Sequence, residues 1–449
     1  MRRLLYLALR VFSAINYRLA ERLTPAGWLV LAGAGAAGAA GIDTNQTLTY
    51  QGFTFLVALL LISLAASLRF RVELRLERAL PRYLIAGETA RYRLSLENRG
   101  ARGLEGLTAV EAFADPRPSF REWRAAREPG EARRNWVDRK LGYFRWRWLI
   151  ERRTPRWTEP AAVASIAAGS RASVTLEITP RRRGRLAIEG VLLGRSDPLG
   201  LLRGVARVKL PGHAIALPRR YRLPELAFAG KRRFQPGGVS FASSRGDSDE
   251  FLSLRDYRPG DPLHRMHWKS YARTGQPIVR EYQDEFFERH ALILDTGSAH
   301  GEDAAFEDAI AIAASFVQTV DTRECLLELL FVAEGNPHEP AVRSYTAGET
   351  QLLTEHMLEV LAGVSASAPA AFDALARAVL AQRAQLSSCI LVSSYWDASR
   401  AALGEALRRS GIELRAVCVS VDGAAPPQAP AWLVVAQPGA IEAGLAKLR

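Results

Sequence analysis

The chain has 449 residues, 24% of them charged and 48% apolar. At roughly 150 residues per domain this length suggests two or three units, and the ordinary globular composition excludes a disordered chain and a polytopic transporter. One or two membrane spans remain compatible with it, because short apolar runs average away over this length. The formal charge is +13, so where that charge sits matters more than its sum.

Residues 1–24 open the chain, and the stretch 4–20, apolar with interspersed arginine, reads as an interfacial helix. Two uncharged runs follow within 25–69, Pro25 to Ile42 and Gly52 to Leu68. Each is about 17 residues, the lower limit for crossing a hydrocarbon core. The first is rich in small residues (Gly33, Gly35, Gly38, Gly41), which let a partner helix approach closely and favour a packed two-helix transmembrane hairpin. Arg2, Arg3, Arg10, Arg18 and Arg22 precede the first run and Arg69, Arg71, Arg75 and Arg78 follow the second. The connecting segment 43–51 has neither Lys nor Arg. The positive-inside rule then places both termini and the soluble regions in the cytoplasm, with the hairpin in the inner membrane. A cleaved signal peptide fits less well, because the apolar core begins late and a second span would still need explaining. Cys325, Cys389 and Cys418 sit in apolar, strand-like runs with no CxxC, as expected of reduced core thiols.

Residues 70–220 alternate apolar with polar, in VELRLERAL, ARYRLSLEN, ASVTLEITP and GRLAIEGVLLG, with Gly, Pro and Asp at the joints. This pattern predicts an all-β sandwich of immunoglobulin-like type. An insertion at 121–157 interrupts it, with twelve Lys or Arg against five Asp or Glu, net +7, and Trp123, Trp136, Trp146, Trp148 and Trp157. Arginine with tryptophan suits either an anionic membrane surface or a packed insertion with solvated charges. A nucleic-acid groove would need a recognition motif that is absent elsewhere, and no nucleic-acid partner is expected.

The densest motif lies within 221–287. Glu250, Asp256, Asp261, Glu281 and Glu285 interleave with Arg245, Arg255, Arg265, Arg273 and Arg280 and with Tyr257 and Trp268. Arginine binds carboxylate bidentately and stacks on rings, so the cluster reads as a recognition or domain-positioning surface. Asp261, His264 and His267 could together hold a metal and support a metal-assisted hydrolase, but Asp261-Pro262 argues for a turn, not one helix face. GxSxG, HExxH and CxxC are absent, and Gly237-Gly238 lacks the Gly-Lys-Ser/Thr ending of a phosphate loop.

These residues carry a resemblance. Arg245-Gly246, Glu250-Phe251, Leu254-Arg255-Asp256-Tyr257, Gly260-Asp261, Arg265, His267-Trp268, Ala272-Arg273 and Glu281 resemble the signature of the bacterial "domain of unknown function 58" family. The wider layout is similar too: two N-terminal spans, then a β domain ending in RRRG…SDPLGL (Arg181 to Leu201). The insertion 121–157 lies outside the resemblance. It implies a multidomain, non-enzymatic, membrane-anchored adaptor working beside AAA+ ATPases of the MoxR type in assembly, maturation or envelope stress. Arg245, Glu250, Arg255, Asp256, Tyr257, Asp261, Arg265, Trp268 and Arg273 would then contact the partner or position domains.

Residues 288–449 alternate buried strands and helices, predicting a doubly wound parallel sheet. The resemblance makes this a von Willebrand factor A-like domain, whose first strand would end in Asp-x-Ser-x-Ser and help bind a divalent cation. Here it reads Asp295-Thr296-Gly297-Ser298-Ala299, so both serine positions have lost their hydroxyls. Val392-Ser393-Ser394 stands where a later Asp is expected, the nearest carboxylate is Asp397, and Ser365 and Ser367 occupy the loop where a Thr belongs. One carboxylate with a few hydroxyls is too few hard ligands for Mg²⁺. No metal and no cofactor are expected, and Asp295 reads as a hydrogen-bonding residue at a strand end.

Overall fold

The computed structural model describes residues 2–40, 47–128, 130–156, 158–224, 251–259, 261, 263, 266–282, 288–298, 302–320, 325–333, 341–347, 351–420 and 429–448. It divides into two compact units, Met1–Arg219 with Leu358–Gly363, and Arg220–Met357 with Val364–Arg449.

The first unit starts with three helices, α1 (Arg2–Arg22), α2 (Pro25–Ala40) and α3 (Thr47–Leu68). By length and composition α3 can cross a hydrocarbon core. The 16 residues of α2 reach only about 24 Å at 1.5 Å per residue, short of the roughly 30 Å core. The two helices lie side by side: a Cβ added at Gly33 or Gly38 would meet Leu56 or Phe53 of α3. Gly35 faces open space, and Gly41 lies outside the described residues.

The strands β1 (Leu74–Arg78), β2 (Tyr83–Ile85), β3 (Ala90–Asn98) and β4 (Leu107–Phe113) follow. The insertion then forms α4 (Phe120–Ala125), α5 (Trp136–Leu141) and α6 (Tyr143–Arg153). After it come β5 (Ala161–Ala162), β6 (Arg171–Ile178), β7 (Gly184–Ser196) and β8 (Arg203–Leu217). Among the described residues these strands make a three-stranded sheet, β1-β3-β6, and a five-stranded sheet, β2-β8-β7-β4-β5. One core joins them: Leu76, Tyr92, Leu94 and Leu176 from the first sheet, Leu107, Ile188, Val191 and Leu193 from the second. This is the inward half of the alternation read from the sequence. Inside that core Arg78 donates to both oxygens of Glu111, at 2.9 and 2.6 Å, and the Tyr92 hydroxyl donates to Glu111 at 2.7 Å. Burial pushes the Glu111 carboxyl up, against the pull of these partners.

The SDPLGL turn has a visible structural task. Asp197 accepts from the N–H groups of Leu199 and Leu202, at 3.2 and 2.9 Å, shaping the turn. The turn then holds the α1–α2 junction. Leu23 bridges Leu202, Thr24 N–H donates to the Leu201 carbonyl at 3.1 Å, and the Thr24 hydroxyl donates to the Gly200 carbonyl at 2.6 Å.

The second unit holds β9 (Phe251–Asp256), α7 (Trp268–Thr274) and β10 (Ile278–Tyr282), the strands forming an antiparallel ribbon. The alternating region follows as β11 (Glu288–Leu294), α8 (Ala304–Thr319), β12 (Cys325–Ala333), β13 (Ala341–Ala347), α9 (Gln351–Gly363, whose last six residues are counted with the first unit), α10 (Phe372–Gln382), β14 (Ser388–Ser393), α11 (Ala398–Arg409), β15 (Glu413–Val419), β16 (Leu433–Ala436) and α12 (Ile441–Leu445). Among the described residues they make one sheet, β13-β12-β11-β14-β15-β16, parallel throughout except for the antiparallel edge strand β13. Ala291 and Ile293 share a core with Phe372 and Leu375 of α10 and Leu403 and Leu407 of α11. By the two-residue period of a strand, Leu292 and Leu294 face the other side, where the buried helix α8 packs. Burial on both faces explains why these strands read as continuous apolar runs.

Candidate functional site

Two places merit attention as sites, and both lie in the second unit. The first is the crevice at the C-terminal end of β11. Strand β11 has parallel neighbours on both sides: the chain runs from β11 to β12 on one side and from β14 to β15 on the other, so the strand order reverses between β11 and β14. In doubly wound sheets such a switch point opens the ligand crevice beyond the strand ends. Asp295 stands there, one residue past β11.

Its carboxylate is already occupied. Oδ1 accepts from the Gly297 N–H at 2.9 Å and Arg400 Nη2 at 3.2 Å, while Oδ2 accepts from Ser393 Oγ at 2.6 Å and Arg400 Nε at 2.9 Å. A carboxylate offers about four lone-pair directions, so these bonds use them all. Arg400 and Asp295 are each only 1% exposed. The guanidinium reaches them from the first turn of α11, which Asp397 caps by accepting from the Arg400 N–H at 3.1 Å. Asp397 also takes Arg400 Nη1 at 2.8 Å, and the Pro369 carbonyl takes Nη2 at 3.2 Å. The plane lies over Phe372, 4.2 Å from its ring centre. Burial alone would lower the arginine's pKa; the Asp295 and Asp397 contacts outweigh it and raise it.

Gly297 belongs to this arrangement. A Cβ there would sit 2.7 Å from Arg400 Nη2, so the side chain missing at this position is the space the guanidinium needs. Thr296 Oγ1 donates to the Val332 carbonyl at 3.0 Å and shares a 2.9 Å contact with Ser367 Oγ. Nearby Cys418 is buried, and burial first, then the Asp295 charge, pushes its thiol up to about 12. A thiol that weakly acidic is no nucleophile near neutral pH. The residue missed in reading the sequence is Arg400: it stands 105 positions from Asp295, and nothing in its helix marks it.

The second place is the β9–α7–β10 segment. Arg255 forks onto Asp261, with Nη1 to Oδ2 at 2.7 Å and Nη2 to Oδ1 at 2.9 Å, and the Arg258 N–H donates to the same carboxylate at 2.8 Å. These hydrogen bonds, Arg255's first, hold Asp261 down to about 2. His267 precedes α7 and its Nδ1 shares a 2.6 Å contact with Ser270 Oγ. The three-ligand combination with His264 therefore starts from an aspartate already committed to arginine; His264 itself lies outside the described residues. Among the described residues no group of three His, Cys, Asp or Glu could hold a metal.

Asp256 pairs with Ile278 in the ribbon and is exposed, and Tyr257 N–H donates to the Pro277 carbonyl at 2.9 Å. Arg273 is exposed in the last turn of α7. Arg245, Glu250 and Arg265 lie outside the described residues. Trp268 is 59% exposed and meets Tyr271 edge-to-face, with centroids 6.2 Å apart. Leu254 and Leu263 are exposed as well. The segment thus combines a fixed Arg–Asp pair with uncovered aromatic and aliphatic side chains.

The insertion's tryptophans divide between two environments. Trp123 and Trp146, each 3% exposed, are packed inside the protein and cannot meet lipid; Trp136 is exposed, and Trp157 lies outside the described residues. Trp123 Nε1 donates to the Gly142 carbonyl at 3.1 Å. Gly142, at φ +62°, joins α5 to α6 with the indole only 2.8 Å from where a Cβ would be, so glycine is required there twice over.

No family model matches the chain. It is 27% identical over 150 residues to the uncharacterized protein YeaD of Bacillus subtilis (strain 168), covering 33% of this chain. The chain spans only about a third, 36%, of that curated relative's length. Among solved structures it is similar to a Pseudomonas fluorescens alkylpurine DNA glycosylase bound to DNA containing an abasic-site analogue, at 14% identity and TM-score 0.17, over 36% of this chain and 39% of that one. It is also similar to a PapD-like domain of human CEP192, at 14% identity and TM-score 0.16, over 32% of this chain and 87% of that one. TM-scores this low leave both without bearing on fold or function.

Proposed function

We propose that the chain is a non-enzymatic, membrane-anchored adaptor whose second unit binds a protein partner. In this reading α2 and α3 form a hairpin in the inner membrane, with both termini and the soluble units on the cytoplasmic side. The two-sheet β region is an immunoglobulin-like spacer, and the parallel-sheet region is a von Willebrand factor A-like binding domain. The partner is an AAA+ ATPase of the MoxR type, as the signature resemblance implies, and any ATP belongs to that partner.

The observation that carries this reading is the uncovered apolar surface of the signature segment, where Leu254, Leu263, Trp268 and Tyr271 are exposed beside the fixed Arg255–Asp261 pair. Aromatic side chains with a rigid arginine beside them are the common anchors of protein interfaces. The occupied Asp295 supports it from the other side, since a carboxylate saturated by Arg400 offers no bond to a cation bridging to a partner.

The test is capture from native membranes by the tagged full-length protein, wild type against Trp268→Ala/Tyr271→Ala. Wild type is expected to recover the AAA+ ATPase, and the double variant to weaken its binding about thirtyfold, the loss of roughly 2 kcal/mol at an interface hot spot. Equal recovery by a variant that remains folded by circular dichroism would remove these residues from the contact.

A further inference from the structure

The helix α1 has two faces of different fate. Tyr6 is buried: its hydroxyl donates to the Pro118 carbonyl at 3.1 Å, and its ring meets Phe120 at 5.4 Å, Trp146 at 5.6 Å and Trp123 at 6.0 Å. Leu5 and Leu9 pack on the same cluster, with Leu149 of α6. The insertion therefore holds α1 along one side. On the other side Leu4, Leu7, Val11, Phe12, Ile15 and Leu19 are all exposed. Their spacing of three, four, one, three and four residues puts them on one arc of a helix with 3.6 residues per turn. Six large apolar side chains in one stripe are far more than the scattered exposed leucines of a soluble surface.

The junction fixes what this stripe can meet. Only Leu23 and Thr24 separate α1 from α2, and the SDPLGL turn clamps both, so α1 cannot swing away from the point where the chain enters α2. At the C-terminal end of α1, Arg18 and Arg22 continue the same arc and close the stripe with positive charge, where long cationic side chains reach headgroup phosphates while their stems stay apolar.

We propose that the Leu4–Leu19 stripe of α1 is a binding face for the interfacial region of an anionic phospholipid bilayer, and that the insertion 121–157 is the brace that presents it. The proposal rests on the membrane-anchored reading above. It assigns Trp123 and Trp146 to holding the helix, while the lipid contact belongs to α1. The occupant is a bilayer because the clamped two-residue junction carries α1 directly into the apolar helix α2, and Arg18 and Arg22 end the stripe at that junction; a second copy of the chain would satisfy the leucines but not the arginines.

The test uses the full-length protein in liposomes of phosphatidylcholine with and without phosphatidylglycerol, carrying an environment-sensitive thiol label at one site: Val11→Cys on the stripe, Ala20→Cys on another exposed face of α1, or Ala58→Cys within α3. The unsubstituted protein corrects for labelling of native cysteines. Bromine-bearing lipids that quench at about 5–10 Å below the headgroups should quench Val11 strongly, more with phosphatidylglycerol, and Ala20 weakly. The Ala58 label should respond to bromines deeper in the core. Quenching at Ala58 without quenching at Val11 would overturn the proposal while leaving the anchor intact. A Val11 label that self-quenches with protein density instead would overturn it in favour of a second copy. No quenching at Ala58 would overturn the anchor, and the proposal with it.

Discussion

Arg400 and Asp295 meet where a doubly wound sheet ordinarily opens its binding crevice, and there the protein has placed its own cation. Removing one partner of a buried pair leaves the other charge uncompensated and costs about 3–5 kcal/mol, whereas replacing both by apolar groups is often close to neutral. Urea unfolding should therefore find Arg400→Met destabilised by about that amount, with Arg400→Met/Asp295→Leu recovering most of it. Additive losses in the double variant would mean the pair is not coupled. Half of this site was legible in the sequence. Gly297 and Ala299 showed that hydroxyl ligands were missing, but the guanidinium that needs the space at Gly297 comes from a distant helix, and no local spacing reports such a contact. His290, buried with Nδ1 2.6 Å from Ser388 Oγ, makes a second case. Burial lowers its pKa below the ordinary 6.5. The unfolded chain then binds the proton first, so the stability tied to neutral His290 is complete above pH 6.5 and is lost as the pH falls toward its folded value. Between pH 7.5 and 5.5, wild type should lose more stability in urea titrations than His290→Asn; parallel losses would exclude this histidine as a cause.

At the scale of elements, the parallel strands β11, β12, β14 and β15 were readable because each is a short apolar run with a neighbour on either side; the short edge strand β16, only half buried, was not. The edge strand β13 was not, since AVRSYTA is half polar and pairs on one side only, with β12. The insertion was visible as composition but not as three helices. Its tryptophans follow no helical period, because Trp123 and Trp146 point into a cluster built around Tyr6, more than a hundred residues away in sequence. Four of its five acids pair with its own arginines (Glu122–Arg153, Glu128–Arg134, Glu131–Arg145, Glu151–Arg147), which was not deducible from charge totals. The SDPLGL turn was recognised as a pattern and acquires a physical role only in the fold, as the clamp on the start of α2. Gly27 shows how close the fit is: a Cβ there would lie 2.0 Å from the Leu201 carbonyl oxygen. Gly27→Val should cost about 1–3 kcal/mol by overpacking and lower the melting temperature of the detergent-solubilised protein. An unchanged melting curve would show that the junction is not clamped.

For the whole molecule, a helix long and apolar enough to cross a membrane, α3, and an uncovered Trp–Tyr surface in the second unit are the features that organise the functional reading. A carboxylate at the switch point closed from within by Arg400 gives that reading its sharpest consequence, which is partner binding without a divalent cation. The most direct measurement is recovery of the AAA+ ATPase from native membranes by the full-length protein in nucleotide-free buffer, once with Mg²⁺ and once with EDTA. Equal recovery in both is the expected result. Recovery in Mg²⁺ alone, restored when Mg²⁺ is added back, would contradict partner binding that needs no divalent cation.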